Sequence, residues 1–419
     1  MYAKHLDLGT GSVDDDNSGS AYNEIRLNFR RQLAKSKLFS SIKYSKNSLF
    51  FYGYNGKKNV EKSSISQNFQ NIEANLSLEG NANPNLSYKL ALQYSQLWDR
   101  FQGKEQEIIL NGKAIYQFAV DARFVGDLTI ALPQYSNFDT QTTRYFVKFS
   151  PAHMSRIGNL FFRLGLGMVH ASDSVGAASR LRIYPDLSAS YDISEGELSA
   201  YLHLRGDLQR NTWRSFTDEN PFLNNQIALK NTDKNLEFRA GVRGNYLQIL
   251  GFDISGSYSQ FTNMAFFTNS AQDASKFAVL YDPAAISVFG FQSSFSLKIN
   301  EFDALLKTEY TNYGVKNLEQ AWHRASLRNT LFVSYRYFDQ LMFNLDLFHI
   351  GGLQALDMSN NQVVSLKNIV DLNLKANYYV SKRFSFFTSL NNLFSSNYQR
   401  FLYYDSRGFN FITGVTASF

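Results

Sequence analysis

A chain of 419 residues without a single cysteine has neither a disulfide framework nor a thiolate metal site. Its 37 phenylalanines and 25 tyrosines sit in a sequence of mean hydropathy −0.30 with no run of eighteen apolar residues, which excludes a helical membrane protein. The formal net charge of +6 is scattered, and no basic run argues for nucleic acid.

Aromatic-rich but polar on average is the composition of a transmembrane β-barrel, in which half of every strand faces lipid and half a wet interior. In chain order, Tyr2 to Leu8 is a first short strand, with no basic and apolar segments of a secretion signal around it. The acidic stretch Asp14-Asp15-Asp16-Asn17-Ser18-Gly19 resembles the front of a calcium loop. Ile25 stands where that loop needs a bidentate glutamate, so a solvated loop is the stronger reading and no metal is expected. Ile25, Leu27 and Phe29 then face one way and Arg26, Asn28 and Arg30 the other, a period of two.

Further strands are predicted at 38–54, 64–79, 86–98, 105–118, 122–132, 140–150, 159–171, 181–192, 198–212, 234–247, 250–262, 286–299, 302–315, 323–337, 341–351, 366–380, 384–398 and 409–419, about twenty in all. The connections alternate in length. Val380 to Arg383, Phe338 to Gln340, Asn300-Glu301 and Gln248-Ile249 are tight, whereas 399–408, 352–365, 263–285 and 213–233 are long. Short periplasmic turns and long external loops are the outer-membrane pattern, and both termini fall on the periplasmic side only if the strand number is even.

The faces follow the same logic. Leu198, Ala200, Leu202, Leu204 and Leu208 form an outward set, and Tyr201, His203, Arg205, Asp207 and Gln209 an inward, lumen-facing one. Arg324, Arg328 and Arg336 oppose Leu327, Leu331, Val333 and Tyr335, and Asp346 opposes Leu345 and Leu347, adding to the lumen-facing polar set. A soluble β-sandwich shows the same alternation, but its strands are usually about five or six residues long. Tyr378-Tyr379, Phe384, Phe386-Phe387 and Tyr403-Tyr404 read as interfacial girdles.

Two long loops hold the candidate ligand-binding residues, Trp213, Arg214, Phe216 and Phe222 in one and Phe266, Phe267, Phe277 and Tyr281 in the other. Exposed rings beside amides and an arginine suit a flat ligand, a sugar ring or a partner protein. The competing reading has these rings packing on one another to cap the barrel. His170 lies near Ser172 and Asp173, but strand parity puts it with Leu164 and Leu166 toward lipid. No catalytic residue, enzyme activity or cofactor is therefore expected.

The last hundred residues resemble the closing strands of a TonB-dependent outer-membrane receptor. The resemblance rests on Asn391-Asn392-Leu393-Phe394 followed by Tyr398, then Arg407-Gly408 leading into a strand that ends on Phe419. In that family an Asn-Leu-Phe element ends the penultimate strand, a Gly-Arg pair opens the last, and a terminal phenylalanine is the signal read by the outer-membrane assembly machinery. Here the pair is reversed and no proline accompanies it. Family members also carry a plug domain and an energy-coupling box before a barrel of twenty-two strands, and nothing before Tyr22 reads as a plug. The resemblance implies a single barrel domain over 1–419, in the outer membrane of a Gram-negative bacterium, supplying wall and loops for uptake of a siderophore, vitamin, glycan or peptide. Its partners would be the lipid bilayer, the assembly machinery, and a plug domain, TonB system or surface lipoprotein. The alternative function is a surface scaffold or assembly partner acting through its external loops without transport.

Overall fold

The structure is a computed structural model that describes residues 2–8, 18–54, 60–173 and 180–417. Asp14 to Asn17 of the calcium-like stretch and Phe419 of the proposed assembly signal lie outside these residues. Residue contacts group the chain into two compact units, Met1–Ala189 with His203–Glu237 and Gln260–Ala285, and Ser190–Leu202 with Phe238–Ser259 and Ile286–Phe419.

The chain is almost entirely strand. In order come β1 (Tyr2–Leu8), β2 (Ser20–Gln32), β3 (Ser36–Phe50), the helical turn α1 (Lys62–Ile65), β4 (Ser66–Asn83), β5 (Leu86–Trp98), β6 (Lys104–Ala119), β7 (Ala122–Ser136), β8 (Gln141–Thr143), β9 (Phe146–Ile157) and β10 (Leu160–Ala171). Then follow β11 (Arg180–Ser194), β12 (Leu198–Gln209), helix α2 (Trp213–Glu219), β13 (Thr232–Tyr246), β14 (Leu250–Thr262), β15 (Met264–Asn269), β16 (Phe277–Asp282), β17 (Ile286–Ile299) and β18 (Phe302–Gly314). The last are β19 (Leu327–Tyr337), β20 (Leu341–Gly351), β21 (Gln354–Asp357), β22 (Gln362–Ser365), β23 (Ile369–Tyr379), β24 (Phe384–Asn391), β25 (Gln399–Phe401), β26 (Tyr404–Asp405) and β27 (Asn410–Ala417).

Each long strand is antiparallel to the next. Register pairs run unbroken from β1 to β7, on to β9 and β10, and again from β17 through β18, β19, β20, β23 and β24 to β27. Between them Gly165 of β10 lies against the Asp186 carbonyl of β11, Ser199 of β12 donates to Asp192 of β11, and Gly206 of β12 lies against the Asn235 carbonyl of β13. Gly241 of β13 meets the Ile254 carbonyl of β14, and Gly251 of β14 meets Ser296 of β17. The large sheet holds 21 strands among the described residues, of which β8 is a three-residue extension beside β7. The twenty others match the twenty predicted segments one for one. β15–β16, β21–β22 and β25–β26 are small hairpins within the long connections.

Connections of two to four residues, such as 84–85 and 300–301, alternate strictly with connections of five or more, such as 210–231 and 352–368. Tight turns at one end and loops at the other follow from hairpin geometry. At 247–248 the turn needs two successive left-handed residues, and Leu247 (φ 53°) and Gln248 (φ 58°) adopt them. The predicted parity holds, with β1 a true strand paired to β2.

The polarity of the sheet is inverted relative to a soluble protein. In the first unit one register row runs Leu27, Ile42, Ala74, Tyr94, Ile108, Leu132 across β2 to β7. Leu27 and Ile42 are about half exposed (51% and 56%), while Glu24, Ser41, Ser45, Asn71, Glu105 and Glu107 on the other face are buried. The second unit repeats this, with Phe291 opposite Tyr310 and Phe295 opposite Leu306 all exposed and Ser334 and Asp371 buried. A sandwich would bury the apolar face. An exposed apolar belt of this extent is instead a lipid-facing surface.

Several local expectations are corrected. Leu208 is buried against Ala131, Phe146, Val169 and Tyr184 and is not outward. Arg205 and Leu208, three residues apart, both meet the Tyr184/Asp186 face of β11, as does Gly206, where a Cβ would come within 2.6 Å of the Tyr184 ring. The strand expected at 323–337 starts at Leu327, which leaves Arg324 in the preceding turn with its N–H on the Ala321 carbonyl. Tyr404 is buried within the β25–β26 hairpin and is no girdle residue, whereas Tyr378, Tyr379, Phe384 and Phe386 are exposed. The Asn-Leu-Phe element does end the penultimate long strand. Asn392 there is left-handed (φ 49°) and buried, and its amide donates to the Ser396 and Arg407 carbonyls, tying the last long loop to its own root.

Leu92 lies within the exposed apolar row beside Leu76 and Leu110. Leu92→Arg is expected to destabilise the bilayer-inserted form by about 2–4 kcal/mol, the cost of a cation at mid-membrane depth. Denaturant titration of the chain refolded into lipid vesicles checks this, and an unchanged midpoint would deny that this face meets lipid.

Candidate functional site

At the loop end of the first unit, the polar face of the sheet presents two adjacent register rows. One holds Glu24, Ser45, Asn71, Leu97, Glu105 and Tyr135, all buried. The next holds Arg26, Lys43, Glu73, Ser95, Glu107 and Pro133. Burying carboxylates on a strand face requires a partner that brings its own donors. The connection 210–231 is that partner.

Thr212 starts α2 with a reciprocal capping box, its hydroxyl accepting from the Ser215 N–H while the Ser215 hydroxyl accepts from the Thr212 N–H. The next two free N–H groups, of Trp213 and Arg214, donate to the two Glu105 oxygens at 2.7 and 3.1 Å. A carboxylate at this position meets the positive end of the helical turn. Trp213, 1% exposed, fills the space between Phe69 and Tyr135 and lies over Gly103, where a Cβ would come within 2.8 Å of the indole. The Arg214 guanidinium reaches Glu73 at 3.0 Å and Asn71 at 2.7 Å, and Lys43 closes on the same Glu73 at 2.9 Å. Arg210 pairs with Glu107 at 2.5 Å. Further on, Tyr135 donates to the Asn225 carbonyl and the Asn225 amide to the Phe101 carbonyl.

The far side of this segment packs on the other long loop. The Asn224 N–H donates to the Phe277 carbonyl, and the Phe277 N–H to the Phe222 carbonyl. Phe216 meets Phe267 edge-on at 6.0 Å, and the Tyr281 hydroxyl donates to the Ala228 carbonyl. Buried Arg144 holds the segment's ends by donating to the Asn211 carbonyl, the Asn231 amide oxygen and Asp173.

The candidate ligand-binding rings are therefore not exposed. Trp213, Phe216, Phe266, Phe267 and Phe277 are all buried, Phe222 and Tyr281 are half-buried, and Arg214 is committed to Glu73. Strand pairing in the β15–β16 hairpin and docking on the polar wall turned these side chains inward, as the capping reading expects. The structure places Tyr201, His203, Arg205 and Asp207 on β12. Tyr201 donates to Asp253, Arg205 lies 3.2 Å from Asp186, and Asp207 accepts from Lys148 at 2.7 Å. Arg328 stands opposite Glu309, and Arg336 shares a face of β19 and β20 with Asp346. His170 is exposed beside the Tyr145 ring, while Ser172 and Asp173 serve Tyr145 and Arg144.

A cleft of about 500 Å³ remains open between the 210–231 segment and the neighbouring loops. Phe51, Gln67 and Leu223 form its buried floor, and Arg100, Phe138 and Gln226 stand exposed at its rim. The Lys276 ammonium sits 5.3 Å over the Phe51 ring and 5.0 Å over the Phe101 ring, and 3.2 Å from Asp273. Burial raises the Asp99 carboxyl against the pull of hydrogen bonds from Gln67, Gly103 and Phe101. Burial alone would raise Asp273 too, but hydrogen bonds from Ser275 and Lys276 hold it below the ordinary carboxylate range. Sequence reading missed Phe51, Phe101, Phe138 and Lys276, because residues from four separate connections meet only in space. Glu105 and Glu107 were missed as well, although two carboxylates two positions apart in a predicted strand share one face.

Compared as a sequence, the chain matches no family model and no curated protein. Compared as a fold, it is similar to the siderophore receptor PirA from Acinetobacter baumannii, with a TM-score of 0.72 and 12% identity over 96% of this chain and 71% of that one. The FrpB iron transporter from Neisseria meningitidis (F3-3 variant) gives a TM-score of 0.74 at 9% identity, over 99% and 76%. The ferric-catecholate import receptor Fiu from K12 E. coli gives 0.69 at 10%, over 99% and 76%. Identities this low show the fold, an antiparallel up-and-down transmembrane β-barrel of the outer-membrane class.

Trp213→Ala is expected to cost about 3–5 kcal/mol of stability, since the indole is fully enclosed. Urea denaturation of the refolded chain, followed by intrinsic fluorescence, measures it, and a loss well under that range would mean α2 is not docked on the wall. For Asp273 the folded pKa is lowered, so its contribution is present above the ordinary carboxylate range and is lost as pH falls through the depressed value. Amide-exchange protection at Ser275 and Lys276, corrected for the intrinsic exchange rate, should hold at neutral pH and drop as the pH is taken below the ordinary carboxylate range. Unchanged protection would count against the carboxylate's role in ordering this loop.

Proposed function

We propose that the chain forms the wall and loops of an outer-membrane receptor for TonB-dependent uptake of a scarce ligand in a Gram-negative bacterium. The supporting observation is the likeness of fold, over nearly the whole chain, to solved structures whose names are siderophore receptor, iron transporter and import receptor. The loop-end cleft is where such a ligand first meets this chain, with the Phe101 and Phe138 rings, the Lys276 ammonium and the Gln226 amide available for contact. Passage then follows the polar face of the sheet, and the moving part is a plug domain worked by the TonB system. The candidate lumen residues on β12, β19 and β20 belong to that polar face and would wet the path. The ligand class within this reading is a siderophore, vitamin, glycan or peptide.

A second reading, a surface scaffold without transport, draws on the packing of the loop rings into one another, which makes the 210–231 and 263–285 connections a stiff cap. Growth of a strain carrying Phe138→Ala with Lys276→Ala, on each ligand class as sole limiting source, separates the two. Uptake should fall about tenfold on one class, the loss of one aromatic and one cationic contact worth about 1.4 kcal/mol together, with barrel levels in the membrane unchanged. Wild-type growth on every class after deletion of the whole chain, together with stable co-purification of other envelope proteins, would favour the scaffold.

A further inference from the structure

The opposite end of the same unit carries a different charge pattern. A register row at the tight-turn end runs Gln32, Lys37, Glu79, Lys89, Lys113, Asp127 across β2 to β7, on the face that holds Glu73 and Glu107. Lys89 stands directly opposite Lys113, a like-charge cross-strand pair that destabilises a sheet unless it is compensated. At the loop end, the comparable pair Arg26 and Lys43 is compensated, Arg26 by Glu24 at 2.9 Å and Lys43 by Glu73 at 2.9 Å. At the turn end Lys113 pairs with Asp127 at 3.3 Å, and Glu79 alone stands in register with both Lys37 and Lys89. Lys35, Lys37 and Lys89 are exposed and form no ion pair among the described residues, and Glu79 leaves the six-residue set Lys35, Lys37, Lys89, Lys113, Glu79 and Asp127 at a formal +2.

These lysines border a cavity of about 510 Å³. Its shape is set by Gly80, whose missing side chain lets the Lys35 carbonyl come to within 2.4 Å of where a Cβ would stand and brings the 33–35 turn down onto β4. Neighbouring strands are about 4.8 Å apart, so Lys37 and Lys89 are separated by about 10 Å and Lys89 and Lys113 by about half that. Carboxylates on one side of an extended peptide recur about every 6.8 Å, a spacing that flexible lysine side chains on this row can meet.

We propose that the turn-end wall of β3 to β6 is a docking surface for an acidic, extended polypeptide segment that enters from the periplasmic side. The cavity orients the segment and the lysine row supplies the charge that the sheet itself leaves uncompensated. The proposal needs only the fold and stands whether or not the chain carries a ligand across the membrane.

The test uses the full chain refolded in an uncharged detergent and a fluorescent decapeptide of alternating glutamate and serine, read by anisotropy. The expected result is saturable binding that weakens as salt is raised and at least tenfold on the triple change Lys37→Gln, Lys89→Gln, Lys113→Gln. The charge-matched control Lys62→Gln, Lys104→Gln at the loop end of the first unit, with Lys367→Gln in the 352–368 connection, should leave binding intact. Absence of binding overturns the proposal. Equal loss in both triple variants overturns it as well, by showing attraction to net charge alone, and displacement of the peptide by inorganic phosphate at similar concentration would assign the cavity to a small oxyanion.

Discussion

The constraint on which this molecule depends is that a strand in lipid must satisfy every backbone N–H and C=O by pairing with neighbouring strands. Twenty long strands with antiparallel neighbours meet it, and their side chains are then free to obey two solvents at once. Leu27, Ile42, Leu92 and Leu110 face outward with large exposed areas, which in water would cause aggregation and in a bilayer is the stabilising surface. The polar residues between them turn to the other face.

That second face is where the chain has to manage charge. Glu73 of β4 and Glu105 and Glu107 of β6, with β5 between them, line one face of the sheet, and burying carboxylates without compensation costs several kcal/mol each. Apart from Lys43 on Glu73, the compensation comes from more than a hundred residues away in sequence, from Arg210, Arg214 and the first N–H groups of α2. The docking is mutual. Without the carboxylates α2 would be a seven-residue helix with free N–H groups, too short to hold itself, and without α2 the carboxylates would face one another. Trp213 adds the apolar part of the same contact.

The two ends of the first unit thus divide the work. At the loop end charges are matched, rings are packed, and a cleft is left between rigid elements, as a binding surface requires. At the turn end the lysines of the register row outnumber their carboxylates, and the sheet tolerates the like-charge pair Lys89 and Lys113 with Glu79 and Asp127 flanking it.

Strand number, parity, the alternation of tight turns with long connections, and the assignment of Ile25, Leu27 and Phe29 to one face were all legible in the sequence, because a period of two and the residue demands of hairpins are local properties. The Asn391 to Phe394 element was legible as well, though only the fold explains it, through the Asn392 amide that binds the Arg407 carbonyl. The solvent of the apolar face was legible too, because alternation alone is shared by a sandwich and a barrel but composition, strand length and alternating connection lengths together point to lipid. What the sequence could not determine was where the rings of the two longest connections would lie. Trp213 and Phe277 look like exposed binding residues in a linear reading and are buried in the fold. Phe51, Phe101 and Lys276 look like nothing in particular and form one cluster. Such contacts join residues far apart in the chain, and only tertiary structure decides them, because the energy that places each ring or charge belongs to a partner that sequence spacing does not reveal.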